Sequence, residues 1–263
     1  MPEYLGTEFQ IAIQKRLCSN HSWIKDTPEM SNGGRVLNFL EPDKIGWSRI
    51  IELIHQDSCG SITAQPLEPM MSVLREKIGA DWDMPHWDVY FGAAKDILLA
   101  CKKVIDVIDL PDGWLCESFE HPTDTQITEV QELNVATGIG PSPGWYMRGY
   151  ELPTLTTCIR NEQGHMVATA MTNCRYHARS RFADHLFQGS VSVSPDHRGK
   201  RLGNYVSASV FLDSHVAFGW KTALSQAMPT NVPSRRMIES CGLTNEAGLV
   251  TIAIIKQGQS ITR

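Results

Sequence analysis

The spacing of apolar residues changes near residue 110 and divides the chain into two parts. In the first part, apolar residues recur at intervals of three and four, so that Trp47, Ile50 and Ile54 share one face of a helix predicted over residues 44–55. The same reasoning predicts helices over residues 70–78 and 93–104, a short strand over residues 34–40 and a loop over residues 57–66. The sequence therefore predicts a helix-rich region over residues 1–112.

The second part of the chain alternates between strand and helix patterns. It begins after Pro111-Asp112-Gly113, three residues that favour a turn. Strands are predicted over residues 114–119, 155–160, 166–174, 186–193, 222–227 and 249–255. Helices are predicted over residues 124–136, from the end of the turn at Gly203 to residue 218, and over residues 233–240. This alternation predicts a mixed α/β domain over residues 113–263.

Composition indicates a folded protein that does not bind nucleic acid. Hydrophobic residues make up 42% of the 263 residues and charged residues 20%, which is ordinary for a globular chain and unlike a disordered one. The 24 basic and 29 acidic side chains give a net charge of −5. The sequence contains no stripe of lysines and arginines that could neutralise phosphates along a nucleic acid.

No targeting or membrane-spanning segment is recognisable in the sequence. The longest apolar runs, residues 97–100 and 249–255, are far shorter than the ~20 residues that a transmembrane helix needs. Residues 1–15 lack the basic-then-apolar order of a signal peptide. The seven cysteines are scattered and include no C-x-x-C pair, which argues against a zinc ribbon or a disulfide framework. We therefore expect a cytoplasmic protein with no membrane partner and no bound metal.

The segment from Val193 to Asn204 carries the strongest functional signal. A predicted strand enters a basic turn that contains Gly199 and opens directly into a helix. Unpaired amide groups and the positive end of the helix dipole then converge on one point, which favours a phosphate or pyrophosphate. The turn matches neither G-x-x-x-x-G-K-[ST] nor G-x-G-x-x-G, so it does not indicate ATP or a dinucleotide. The alternative is an ordinary strand-to-helix connection with solvated basic residues.

This segment resembles motif A of the GNAT superfamily of acyl-CoA-dependent N-acetyltransferases, usually written V-x-P-x-x-[RQ]-x-x-G-x-[GA]. Val193, Pro195, Arg198 and Gly203 match the motif in register, whereas Arg201 stands where the family usually has its middle glycine. Downstream, Asn231-Val232-Pro233-Ser234 through Cys241-Gly242-Leu243 resembles motif B of the family. The resemblance covers residues 114–255, and the separation of the two motifs by one helix and one strand also fits.

The resemblance implies an α/β (α+β) fold of GNAT type: a mixed, mainly antiparallel and splayed sheet, flanked by helices. It implies that acetyl-CoA is the co-substrate, with its pantetheine arm paired to the strand before the turn and its pyrophosphate held by the turn. The residues that the resemblance assigns to the cofactor are Val191, Ser192, Val193, Arg198, Gly199, Lys200, Arg201, Leu202, Gly203, Asn204, Asn231 and Ser234.

The usual acid and base of the family are missing from their familiar positions. Ile238 stands where many members have a tyrosine, and Gln226 stands where some have a glutamate. His185, on the strand before the turn, is the candidate substitute for relaying a proton, although a structural histidine is the alternative. Gln226 is a second candidate, through an ordered catalytic water. Trp145 and Tyr146 are candidates for the acceptor side of the cleft, or equally for core aromatics.

The leading hypothesis is an acetyl-CoA-dependent N-acetyltransferase that acts by direct transfer on a small amine or amino-acid-like acceptor. A non-catalytic acyl-CoA-binding or regulatory protein with the same fold is the alternative. Residues 1–112 are then either a cover for the acceptor site or a degenerate GNAT-like half. A homodimer is among the assemblies that the sequence allows.

Overall fold

The computed structural model describes residues 3–261. Its helices are α1 (Glu8–Ser19), α2 (His21–Lys25), α3 (Pro42–Ile45), α4 (Trp47–Asp57), α5 (Leu67–Ile78), α6 (Ala94–Asp106), α7 (Asp124–Thr137), α8 (Gly144–Met147), α9 (Leu202–Phe218) and α10 (Val232–Ser240). Its strands are β1 (Met30–Asn32), β2 (Leu37–Phe39), β3 (Cys59–Pro66), β4 (Trp82–Asp83), β5 (His86–Ala93), β6 (Leu115–Phe119), β7 (Thr154–Arg160), β8 (Met166–Asn173), β9 (His185–Val193), β10 (Thr222–Ala227) and β11 (Thr244–Lys256).

All of these strands belong to one sheet. Ten of them follow one another in the order β1-β2-β3-β11-β5-β10-β9-β8-β7-β6, and β4 pairs with β11 beside this path. The pairs β2–β3 and β9–β10 are parallel, and the other pairs are antiparallel. The predicted fold class, a mixed and mainly antiparallel sheet flanked by helices, is therefore confirmed.

The sheet runs across the boundary that the sequence predicts at residue 112. Strand β5, from the N-terminal region, lies between β10 and β11 of the C-terminal region. Every residue of β10 has a partner on β5, from Thr222 opposite Ala93 to Ala227 opposite Asp88. On the far side of β11 lies β3, another strand of the N-terminal region. The two parts of the chain therefore share one hydrogen-bonded framework.

The helices of the C-terminal part cover both faces of this sheet. Neighbouring residues of β8 point in opposite directions, as in any strand: Ala170 packs against α9, whereas Met171 packs in the cluster that holds Ile127 of α7 and Met147 of α8. Helices α6 and α10 join α9 in a further cluster around Phe211. The middle of the sheet, where β9 and β10 are neighbours, thus has helices packed on both of its faces.

The elements predicted after residue 113 all occur, with ends that differ by a few residues. Strand β10 has the predicted bounds, whereas β11 begins at Thr244 rather than at residue 249. The short helix α8 is not among the predicted elements. These agreements arise because the apolar runs here are separated by strong turn residues such as Gly219 and Gly242, both of which adopt a positive φ.

The N-terminal region contains strands that the sequence pattern does not reveal. The loop predicted over residues 57–66 is wrong, because this segment forms β3, which is buried between β2 and β11. Small and polar residues such as Gly60, Ser61 and Thr63 fill a strand that is covered on both faces, so no alternation marks it. Ala64, at φ +49°, lies where the pairing of β3 with β11 shifts register.

We predict that a shortened chain beginning at Pro111 does not fold as a soluble monomer. Removing residues 1–110 would take β5 from between β10 and β11 and β3 from the far edge of β11, exposing unpaired strand edges. Light scattering and circular dichroism of the purified fragment would show aggregation or loss of structure. A chain that lacks only residues 1–6, which precede α1, is the control and should remain folded. A monomeric, cooperatively folded fragment would contradict the prediction.

Candidate functional site

The two central parallel strands separate partway along their length. Strands β9 and β10 pair over three positions, ending with Leu224 opposite Phe187. Beyond this pair β9 continues to Val193 and β10 to Ala227 without further pairing between them. We call the opening between these unpaired ends the strand gap. At the start of the strand gap the Gln188 carbonyl accepts from the Ser225 hydroxyl at 3.1 Å, and beyond it the backbone of β9 is available to a ligand.

A β-bulge in β9 lies at the strand gap. The pairing of β9 with β8 shifts between Met171 opposite Gly189 and Thr169 opposite Ser192, which leaves Ser190 and Val191 facing Ala170. Ser190 adopts φ +53°, a left-handed conformation that is uncommon for a serine. The bulge thus redirects the backbone of β9 next to the strand gap.

The bulged strand is fixed in place by helix α7. The Ser192 hydroxyl is buried, donates to Asn134 Oδ1 at 2.6 Å and accepts from Thr137 Oγ1 at 2.9 Å. The side chain of Ser192, one of the residues assigned to the cofactor, is therefore occupied in holding β9 against α7. Its backbone alone remains available for the pairing that the resemblance implies.

The strand gap opens into a cavity of about 240 Å³, which we call the central cavity. Its walls come from both parts of the chain. The N-terminal part contributes the β1–β2 turn, β3 and β5, and the C-terminal part contributes β8, β9, β10, α10 and β11. The lining residues used below are Arg35, Ser61, Tyr146, Asn173, Arg175, Phe187, Ser190, Val191, Gln226, Ser234 and Thr251.

Three ionisable side chains line the central cavity among the described residues: Arg35, Tyr146 and Arg175. Burial lowers the pKa of Arg35, and the nearby charge of Arg175 lowers it further. Burial raises the pKa of Tyr146 to about 12, although the two arginines oppose this rise. Tyr146 therefore remains a neutral phenol at physiological pH, and the net charge of the lining is positive.

Several polar atoms in the wall have no hydrogen-bond partner among residues 3–261. They are Ser61 Oγ, Asn173 Oδ1, Gln226 Oε1 and Thr251 Oγ1, and each is buried from solvent. Buried polar groups are nearly always hydrogen-bonded in native proteins. The central cavity is therefore suited to a polar molecule that can satisfy these atoms.

The turn before α9 has the features of an anion site. It contains a short 3-10 turn, Pro195–His197, and then Gly199 at φ +78° and Arg201 at φ +60°. Helix α9 starts without a side-chain cap and without an acidic residue in its first turn. Its first amide groups are therefore open to an anion. Arg198, Lys200 and Arg201 are exposed and form no ion pair with a described residue.

The start of α9 is joined to β9 and α10 at close range. A Cβ added to Gly203 would lie 3.5 Å from Met237 Sδ of α10 and 3.6 Å from Val193 Cγ2 of β9. A longer side chain at this position would enter the space between these two elements. Leu202 is buried beneath the turn, and Asn204 donates from Nδ2 to Ser240 Oγ at 2.8 Å. These two residues anchor the turn by their side chains.

Asn231 caps helix α10. Its Oδ1 accepts from the backbone amide of Ser234 at 3.2 Å. The side-chain oxygen of Asn231 is thus used within the protein, and Nδ2 remains for a ligand. Ser234 itself lines the central cavity.

The structure brings some of the predicted residues to the central cavity and leaves others outside it. Val191, Ser234, Gln226 and Tyr146 line the cavity. His185 does not: its ring lies against Phe91 and Phe182, with centroids 5.6 and 5.3 Å away.

His185 and Trp145 instead take part in packing. Burial lowers the pKa of His185, which keeps the ring neutral at physiological pH. Trp145 lies behind the cavity wall, with its ring 5.2 Å from that of His21 and 5.5 Å from that of Tyr146. His185 is therefore placed as a structural histidine, and Trp145 as an aromatic residue of the core, which are the alternatives given for them in the sequence analysis.

Arg35, Arg175 and Asn173 were not identified from the sequence as residues of the cavity. Asn173 is the one whose Oδ1 has no hydrogen-bond partner among the described residues. Arg35 follows Asn32-Gly33-Gly34 in the turn between β1 and β2, and Gly34 lies so close to Tyr146 that an added Cβ would be 3.0 Å from the ring. This turn signal is visible in the sequence. Asn173 and Arg175 carry no local signal, because they end an ordinary strand and are brought to the site only by the sheet.

Other kinds of site find no support in the described part of the chain. Among residues 3–261, no cluster of histidine, cysteine, aspartate or glutamate is arranged to hold a metal ion. In the same range, no helix combines the length and the apolar character needed to cross a membrane.

Comparison with known proteins finds similarity at the level of structure. The sequence matches no family model and none of the curated proteins. A GCN5-related N-acetyltransferase-like protein from Streptococcus suis superimposes with a TM-score of 0.57 at 14% identity, over 92% of this chain and 98% of that one. A GCN5-related N-acetyltransferase from Kribbella flavida gives 0.54 at 12% identity, over 84% and 78%.

A third similar structure is a tandem GNAT protein from the clavulanic acid biosynthesis pathway, with a TM-score of 0.55 at 16% identity over 81% of this chain and 69% of that one. These superpositions extend well beyond residues 114–255, where the sequence motifs lie, and therefore include much of the N-terminal region. The resemblance seen in the sequence is confirmed for the fold: this chain has the fold of the GNAT N-acetyltransferases.

Proposed function

We propose that the protein is an acetyl-CoA-dependent N-acetyltransferase that transfers the acetyl group directly to a small amine. The observation that carries the proposal is the strand gap between β9 and β10, which begins beyond Phe187 and leads from the open start of α9 to the central cavity. A thioester arm that enters the strand gap would present its carbonyl to a molecule in the cavity.

The residues present fit acetyl-CoA. The uncapped start of α9 and the exposed charges of Arg198, Lys200 and Arg201 suit a pyrophosphate. The unpaired backbone of β9 at the bulge, around Val191, suits the amides of the pantetheine arm. An amide N–H of this segment would also stabilise the oxyanion that forms on the thioester carbonyl.

The transfer step needs little from the ionisable side chains of the cavity. The amine lone pair attacks the thioester carbon, a C–N bond forms, the C–S bond breaks, and CoA leaves as a thiolate. The lining contains no carboxylate and no imidazole among the described residues, so the amine must lose its proton before it attacks. Gln226 Oε1, which has no other partner, can accept a hydrogen bond from the amine or from a water that carries the proton away.

The same absence of a carboxylate or imidazole that could act as a base favours the alternative function, a non-catalytic acyl-CoA-binding protein. Both functions require the strand gap and the open start of α9. Only the transferase also requires a second molecule in the central cavity. A measurement of turnover therefore distinguishes the transferase from the non-catalytic binding protein.

We predict slow but multiple turnover when the full-length protein is supplied with acetyl-CoA and a panel of small amines. Orientation and oxyanion stabilisation remain effective without a general base, whose loss costs typically ~10²- to 10⁴-fold. Thiol release and the mass of the acetylated amine would be measured together. Tight CoA binding with no acetylated product from any amine would support the non-catalytic alternative instead.

We predict that Gly203→Glu weakens CoA binding by at least about tenfold while the fold is retained. The new side chain would enter the space between Val193 and Met237 and bring a negative charge to the pyrophosphate site. A glutamate in the first turn complements the helix dipole, so helix α9 should not be destabilised. Calorimetric titration with CoA would measure the effect. Val216→Glu, which adds the same charge at an exposed position of the same helix, is the matched control.

We predict that the rate with saturating acetyl-CoA rises about tenfold per pH unit up to the pKa of the acceptor amine, because only the neutral amine attacks. Tyr146, with a pKa of about 12, should add no further limb below pH 10. Gln226→Glu places a carboxylate in the cavity and should raise the rate at low pH, flattening the profile. A wild-type profile that reaches a plateau near pH 6 to 7, well below the amine pKa, would reveal a protein base.

A further inference from the structure

We infer that the acceptor amine also carries a carboxylate, and that Arg35 and Arg175 bind this carboxylate in the central cavity. The inference rests on the proposed function, because it concerns the second substrate of the same reaction. It narrows the acceptor from any small amine to an amino acid or a compact relative of one.

The first ground is an uncompensated pair of positive charges. Arg35 and Arg175 both line the central cavity, and neither forms an ion pair with a described residue. The described lining contains no aspartate or glutamate to balance them. Both side chains are half-buried in the wall, and charges drawn partly out of water are normally paired, so two guanidinium groups on one cavity without a counter-ion favour a bound anion.

The second ground is the free donor capacity of Arg175. Its guanidinium carbon lies 3.5 Å from the centre of the Phe187 ring, which holds the group flat against the cavity wall. Its Nε is buried and has no hydrogen-bond partner among the described residues. Its hydrogen bond from Nη2 to the Tyr176 hydroxyl is long at 3.4 Å, and the group also lies within hydrogen-bonding reach of the Tyr146 phenol. A planar guanidinium with vacant donors matches a carboxylate edge to edge.

The third ground is the position of Arg35 beside the strand gap. Its guanidinium donates to the Gly140 carbonyl and, at 3.4 Å, to the hydroxyl of Ser190, the bulged residue of β9. Arg35 is therefore held close to the place where the thioester carbonyl is proposed to lie. A carboxylate bound here would keep the amine of a short molecule within reach of that carbonyl.

The fourth ground is the size and polarity of the cavity. About 240 Å³ is below the ~300 to 1,000 Å³ of typical ligand pockets, so the acceptor is compact. The vacant polar atoms of Ser61, Asn173 and Thr251 are buried in the same wall and suit a hydrophilic molecule. A long polyamine or a peptide segment would fit neither the volume nor the positive charge.

The test compares α-amino acids with their carboxamides as acceptors for the full-length protein. Each pair has the same side chain and differs in the charge of one group. We expect kcat/KM, corrected for the fraction of neutral amine, to favour the best amino acid over its carboxamide by at least about tenfold. Arg175→Gln should remove this preference chiefly by raising KM, and Arg175→Lys should retain part of it.

Two controls exclude a merely structural effect. Arg179→Gln removes the same charge from an exposed position outside the cavity and should change nothing. The thermal midpoint of Arg175→Gln should fall only slightly, because the guanidinium makes no salt bridge and the loss is limited to its contacts with the rings of Phe187 and Tyr176. Calorimetric titration with the same amino acids, with CoA present, gives a binding readout that does not depend on turnover.

The outcomes separate this inference from the proposed function. Acetylation of carboxamides or simple amines at least as efficiently as of amino acids would overturn the inference and leave the transferase standing. An unchanged preference in Arg175→Gln would also overturn it. Absence of product with every amine, together with normal CoA binding, would instead remove the proposed function on which it rests.

Discussion

The rest of the proposed site depends on the separation of β9 from β10. Two adjacent strands can part only where their directions are fixed from elsewhere, since each unpaired backbone group costs free energy. Here β10 is paired along its whole length with β5, and β9 is held by β8 and tied to α7 through Ser192. The strand gap is therefore a product of pairing on the outer sides, and it exists because the N-terminal part supplies β5.

The positive charges of the proposed site also come from both the N-terminal and the C-terminal part of the chain. A net charge of −5 gives no hint of positive sites, yet the structure has two. One is the exposed turn before α9, whose charges come from neighbouring residues and were visible in the sequence. The other is the central cavity, where Arg35 of the N-terminal part meets Arg175 of the C-terminal part. The C-terminal part thus carries the proposed thioester site, and both parts together form the cavity proposed for the acceptor.

What could be predicted from the sequence was set by local patterns. The turn at Gly199 and the helix that follows Asn231 rest on residues that are close in the chain, and both lie where expected. Strands β3 and β5 escaped notice because pairing on both sides, rather than an alternating surface, makes them strands. Arg201 departs from the family glycine yet adopts the left-handed conformation that a glycine would favour there, so the departure leaves the turn intact. His185 is a candidate for proton relay because an imidazole can titrate near neutral pH, but its ring packs against Phe91 and Phe182 outside the cavity.

The place of β11 in the sheet has a consequence for stoichiometry. Apart from the two-residue strand β4, the succession β3, α5, β5, α6 repeats the order strand, helix, strand, helix of β9, α9, β10 and α10, and each first strand contains a residue of positive φ, Ala64 or Ser190. In the C-terminal part, the interval between the two strands is open. In the N-terminal part, β11 fills it completely, paired to β3 on one side and β5 on the other. Strand β11 thus occupies the second interval, and of the two intervals only the one between β9 and β10 is open to the single thioester proposed above.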